Sequence, residues 1–140
     1  MKNTLAFIFI TALAVAAFGQ EPTTELTAPG YYSSGLEKES QGNHDGAIAD
    51  FDYAISLDPK YTEAYIARGI SKWANDNLDG AWKDFDLAIT QDSTSGKAYY
   101  YRGLAYYDYA YYEDACMDLY QAIVLGYTDA EIIYEEYCEW

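Results

Sequence analysis

The stretch Gly35–Ala54, GLEKESQGNHDGAIADFDYA, is written three times in this chain. Gly35, Gly69 and Gly103 recur 34 residues apart, and Ala47, Ala81 and Ala115 keep the interval. So do Ala54, Ala88 and Ala122, then Tyr31, Tyr65 and Tyr99, Asp50, Asp84 and Asp118, and Ile55, Ile89 and Ile123. Six coincidences in one register define an array of stacked supersecondary units.

Inside each copy the pattern is helical. Tyr31, Gly35 and Lys38 share one face of a first helix that ends around Gln41-Gly42, and Gly42 to Gly46 is turn chemistry with Asp45 as the expected N-cap. Ala47, Ile48, Phe51, Ala54, Ile55 and Leu57 then space a second helix, which stops before Asp58-Pro59. The second copy runs from about Thr62 to Ala74, breaks at Asn75-Asp76-Asn77 and restarts near Asp79. The third begins near Lys97, turns around Ala110-Tyr111 and ends at Gly126, the expected left-handed C-cap. A mid-helix glycine costs about 1 kcal/mol against alanine, so three at one register predict a close helix crossing. Ala47, Ala81 and Ala115 are the expected surfaces to meet them, with Phe51, Phe85 and Leu119 beside.

Outward from the array, residues 130–140 carry Ile132, Ile133, Tyr134 and Tyr137 and read as a short capping helix. Upstream, Gln20 to Pro29 is polar and aperiodic, the composition of a flexible leader. Residues 1–19 pair one basic residue, Lys2, with the apolar run Leu5 to Phe18, then Gly19-Gln20. That is the layout of a cleaved signal peptide, and the run is shorter than the roughly 20 residues of a spanning helix. Export to a periplasm or the exterior is the expectation, with a retained anchor as its alternative. The formal charge is −15, and losing the +1 of Lys2 leaves −16. Such a balance argues against nucleic acid and anionic membrane surfaces, which are bound through Lys and Arg. Cys116 and Cys138, about 22 residues apart, admit a disulfide or two buried thiols.

These residues resemble the tetratricopeptide repeat (TPR). The first unit has Tyr31, Gly35, Ala47, Phe51, Ala54 and Pro59 at the motif positions. The second has Tyr65, Gly69, Ala81, Phe85 and Ala88, with Ser93 for the proline. The third has Tyr99, Gly103, Tyr106, Ala115 and Ala122, with Leu119 for the aromatic and Tyr127 for the proline. The resemblance implies an all-α, right-handed solenoid of three helix-turn-helix repeats, about 28–61, 62–95 and 96–129, closed by the capping helix. It also implies a concave groove lined by the first helix of each unit. By register its residues are Tyr32, Leu36 and Glu39, then Glu63, Ile66, Ile70 and Trp73, then Lys97, Tyr100, Leu104 and Tyr107. One subgroup of the family clamps a chaperone's C-terminal carboxylate with Lys, Asn and Arg. Those positions here are Tyr32, Leu36, Ala67, Lys97 and Tyr101, so only Lys97 agrees and the clamp is not expected.

The expected function is a non-catalytic interaction module, or scaffold, that takes a peptide or protein in an apolar, aromatic groove with an acidic margin. A structural or self-assembling subunit of an envelope complex is the alternative, so homo-oligomers remain open. Asn75, Asn77, Asp79, Gly80 and Asp86 partly resemble a calcium loop, but the first Asp and last Glu are missing and the turn accounts for them. The single histidine, His44, falls in a turn without a nucleophile beside it, and the many carboxylates read as solvated helix surface. No cofactor, metal or enzyme activity is expected.

Overall fold

The computed structural model describes residues 27–138; the expected signal peptide, most of the leader and residues 139–140 lie outside that range. Among the described residues seven helices follow in order: α1 (Ala28–Ser40), α2 (His44–Leu57), α3 (Thr62–Ala74), α4 (Leu78–Gln91), α5 (Gly96–Asp108), α6 (Tyr112–Val124) and α7 (Asp129–Tyr137). Among the described residues there is no strand. α1 packs on α2, α3 on α4 and α5 on α6, and each second helix also packs on the first helix of the next pair. α3 touches α1 and α5 as well, so the first helices form one continuous wall. The fold is an all-α solenoid of three helix pairs, with α7 closing its end.

Helix starts follow local chemistry. α1 begins at Ala28, inside the expected leader, because Thr27 Oγ1 accepts the Gly30 N–H at 3.2 Å and Pro29 sits in the first turn, where its missing N–H costs nothing. Ala28 and Pro29 thus belong to the helix, not to the leader. The N-cap of α2 is Asn43 rather than Asp45, and α4 repeats the device with Asn77. Each asparagine Oδ1 accepts from the glycine three residues on, Gly46 or Gly80, at 3.0 Å. His44 is accordingly the first residue of α2, not a turn residue.

The repeated glycine meets a phenyl ring, not the expected alanine. A Cβ on Gly35 or Gly69 would lie 2.5 Å from the ring of Phe51 or Phe85, both fully buried. Leu119 leaves the third copy looser, with the Ala115 carbonyl oxygen nearest the Gly103 position at 3.2 Å.

Each pair turns through one left-handed residue at the same repeat position: Gly42 (φ 75°), Asp76 (φ 57°) and Ala110 (φ 61°). Alanine is the poorest fit of the three, since its Cβ crowds the following carbonyl. Ala110→Gly is therefore expected to stabilise the protein by about 1 kcal/mol, seen as a higher urea midpoint at an unchanged slope. A fall in that midpoint would contradict this account of the turn.

Asp50, Asp84 and Asp118 are buried, which corrects their reading as solvated surface. Arg68 donates from Nε and Nη2 to Asp84, 16 residues ahead, at 2.9 and 2.6 Å. It also donates from Nη1 to Asp52, 16 residues behind, at 2.6 Å. Arg102 repeats this with Asp118 (2.7 and 2.9 Å) and Asp86 (2.7 Å). Each arginine thus joins the two helices of its own repeat and the second helix of the repeat before. Lys72 adds a contact to Asp84 at 2.9 Å, and Lys38 and Ser34 serve Asp50 at the first step.

Cys116 and Cys138 form a disulfide, Cα–Cα 5.6 Å, which ties α6 to the end of α7. For a loop of this length the chain-entropy account allows about 3 kcal/mol of stabilisation.

Candidate partner-binding groove

The first-helix wall leaves Glu39, Ile70, Trp73, Tyr100 and Leu104 half-buried, and Leu36 and Lys97 exposed. Ile66 is only 3 % exposed and belongs to the core around Phe85. Trp73 rests an edge on Phe85 at 6.4 Å, so part of its ring is packing. Tyr107 stacks edge-on against Tyr112 and Tyr137, at 5.1 and 5.0 Å, and is held against α6 and α7.

Two tyrosine clusters mark the ends of the wall. Tyr32 lies 5.0 Å from Tyr61, in the turn before α3, and 5.8 Å from Phe51. Tyr100 lies 5.0 Å from Tyr127, in the turn before α7, and 5.1 Å from Tyr101, whose ring stacks on Phe85 at 5.6 Å. Register along the first helices does not reach Tyr61 or Tyr127, because both sit in connections between units. Pairing with the aromatic that opens the groove is the only signal that could have found them.

The electrostatics of this surface are negative. Burial raises the phenol pKa of Tyr32 first, and the charges of Tyr61, Glu63 and Glu39 raise it further. Burial likewise leads at Tyr101, followed by Tyr100, Glu39 and Asp129, and it carries Tyr127 up to about 12 with help from Tyr101 and Asp129. Glu39 therefore acts on tyrosines at both ends, while its Oε1 accepts a 3.0 Å hydrogen bond from Ser71. Lys97 places its ammonium 6.0 Å over the Tyr101 ring. At the five positions of the carboxylate clamp, Ala67 is buried and Tyr101 is stacked, which leaves Lys97 as the one cation.

The residues of the partial calcium loop have other duties. Asn77 caps α4, Asn75 donates to Asp45 at 2.6 Å, Asp79 accepts from the Tyr109 hydroxyl and Asp86 pairs with Arg102. Among the described residues no group of three or more His, Cys, Asp or Glu is arranged to hold a metal ion. No helix among them is long and apolar enough to cross a membrane.

Paired helices, glycine crossings and an open first-helix wall define the fold of a tetratricopeptide-repeat domain. Solved structures agree. The first TPR domain of Spaghetti (RPAP3), bound to the HSP90 peptide SRMEEVD, is 22% identical with a TM-score of 0.74, over 78% of this chain and 88% of that one. The Arabidopsis OM64 TPR domain is 21% identical with a TM-score of 0.74, over 79% and 93%. The Sgt2 TPR domain from Aspergillus fumigatus is 24% identical with a TM-score of 0.68, over 70% and 65%. No protein-family model matches the sequence, and no curated protein does.

Proposed function

We propose that the chain is an exported, non-catalytic interaction module whose first-helix groove takes a peptide or protein segment with aliphatic anchors and Lys or Arg side chains. The observation that carries this reading is the groove's chemistry. Leu36, Ile70 and Leu104 offer apolar contact, while Glu39, Glu63 and Asp129 set a negative field around its tyrosines. Apolar anchors supply affinity in such a surface, and charge selects the partner. That preference is opposite in sign to the acidic peptide SRMEEVD held by the Spaghetti domain. Export draws support from the Cys116–Cys138 bond, since disulfides persist in oxidising compartments.

Selection of displayed random peptides on the purified domain tests the proposal. Enriched peptides are expected to be cationic and to lose about tenfold or more in affinity on Leu104→Asp, about 1.4 kcal/mol. Acidic winners, or winners indifferent to Leu104→Asp and Ile70→Asp alike, would sink it. A second reading, a self-assembling subunit, is favoured by the exposed apolar side chains at the C-terminal end of the chain: Met117, Tyr120 and Val124 on α6 and Ile132 on α7, Met117 exposed by 65% and Ile132 by 71%. A single monomeric species in light scattering would remove it.

A further inference from the structure

On the far side of the wall from the groove, where α4 meets the turn between α5 and α6, five side chains close a circuit. Asp79 and Trp82 stand three residues apart on α4. Trp82 meets Tyr106 edge-on at 6.1 Å, Tyr106 meets Tyr111 edge-on at 6.3 Å, and Tyr111 leans on Tyr109 at 5.9 Å. The Tyr109 hydroxyl donates to the Asp79 carboxylate and completes the ring. These five residues line an open surface cleft of about 260 Å³. None of them is a groove residue.

We infer that this aromatic box binds a quaternary ammonium group, such as that of choline or trimethyllysine. Aromatic faces attract a cation through their quadrupole, and the one carboxylate in the lining supplies the opposite charge. The lining carries no Lys or Arg. Arg102 lies 5.8 Å over the Tyr106 ring, but its guanidinium is neutralised by Asp118 and Asp86, and its position shows that this ring already accepts a cation on one face. A primary ammonium would bring three N–H donors to a site whose one carboxylate has Oδ1 taken by Tyr109, so that Oδ2 is left to answer them. A methylated one brings none and spreads its charge over the surface that the rings contact.

The first repeat interface shows what the fold itself needs at these positions. The equivalents of Asp79, Trp82, Tyr106, Tyr109 and Tyr111 there are Asp45, Ile48, Lys72, Asn75 and Asn77. Asn75 bonds Asp45 at 2.6 Å, as Tyr109 bonds Asp79, so an asparagine suffices to staple the two turns. Four aromatics at the second interface therefore exceed the packing requirement.

Calorimetric titration of the purified protein with choline, its neutral isostere 3,3-dimethylbutanol and lysine tests the site, with indole fluorescence followed in parallel. Saturable binding of choline is expected, at least about tenfold tighter than the neutral alcohol or lysine, and a changed indole emission. Tyr111→Ser, at a residue 57% exposed and with a serine at the N-cap of α6, and Asp79→Asn should each weaken choline about tenfold. Equal binding of the neutral alcohol or lysine, no saturable response to choline, or binding untouched by both substitutions would overturn the inference. Because the box and the groove share no residue, the fate of one leaves the other standing.

Discussion

Phe85→Ala is expected to cost about 3–5 kcal/mol, against a total stability for a small domain of roughly 5–15 kcal/mol. The ring is fully buried in the middle repeat, its edge rests on the backbone at Gly69, and Trp73 and Tyr101 pack against it at 6.4 and 5.6 Å. Trp73 shares its repeat and Tyr101 belongs to the next, so the cavity would open inside one unit and at the interface beyond it. In a solenoid, stability is a sum of unit and neighbour terms, and loss at the centre uncouples the ends. Urea unfolding should therefore shift strongly and also lose coincidence between circular dichroism and tryptophan emission. A loss below about 1 kcal/mol would mean that the neighbouring aromatics collapse into the space and that the glycine crossing is not the keystone of the pair.

Arg102→Met is expected to cost about 3–5 kcal/mol near neutral pH, because it strands a buried carboxylate. The side chain of Asp118 is only 9% exposed, and Arg102 is its one ionic partner among the described residues. Burial already holds the Asp118 pKa above the ordinary carboxylate range, with Arg102 opposing it and Asp114 and Asp86 adding to the rise. A carboxyl whose folded pKa exceeds its unfolded value favours the folded state at low pH, and that favour is lost as pH rises through the interval between the two. Without Arg102 the interval widens, so the variant's deficit should be largest near pH 7 and shrink towards pH 4. Urea unfolding of both proteins at several pH values reads this directly. A deficit independent of pH would assign the loss to the guanidinium's packing over Tyr99 and Tyr106 instead. Arg68→Met should cost less, since Lys72 remains 2.9 Å from Asp84.

The repeat was legible because each unit solves the same packing problem with the same small residues, and Gly35, Gly69 and Gly103 stand where helices touch. Asp50, Asp84 and Asp118 were visible as a recurrence, but their burial was not. Their partners lie 16 residues away on another helix, a spacing that belongs to no helical period. Among groove candidates, helical spacing said nothing of depth: Ile66 is buried in the core around Phe85, and Tyr107 is held against α6 and α7. How far a neighbouring helix advances over a residue is a property of the assembled stack. Asn43 displaced Asp45 as the cap for a similar reason. Both can cap, and only the arrangement with Gly46 three residues on allows so close an approach of amide and backbone.

The arginine bridges also give the chain a sense of length. The middle unit presents a carboxylate forward, Asp86, and an arginine backward, Arg68, so an additional copy of residues 62–95 would find matching charges on both sides. The termini of the array offer no such match. Ser34 stands where Arg68 and Arg102 stand in later units, Tyr120 replaces the forward aspartate, and Glu136 occupies the place in α7 that an arginine would need. The molecule is thus extensible from within and closed at its ends, a ruler whose marks are charges and whose stops are their absence.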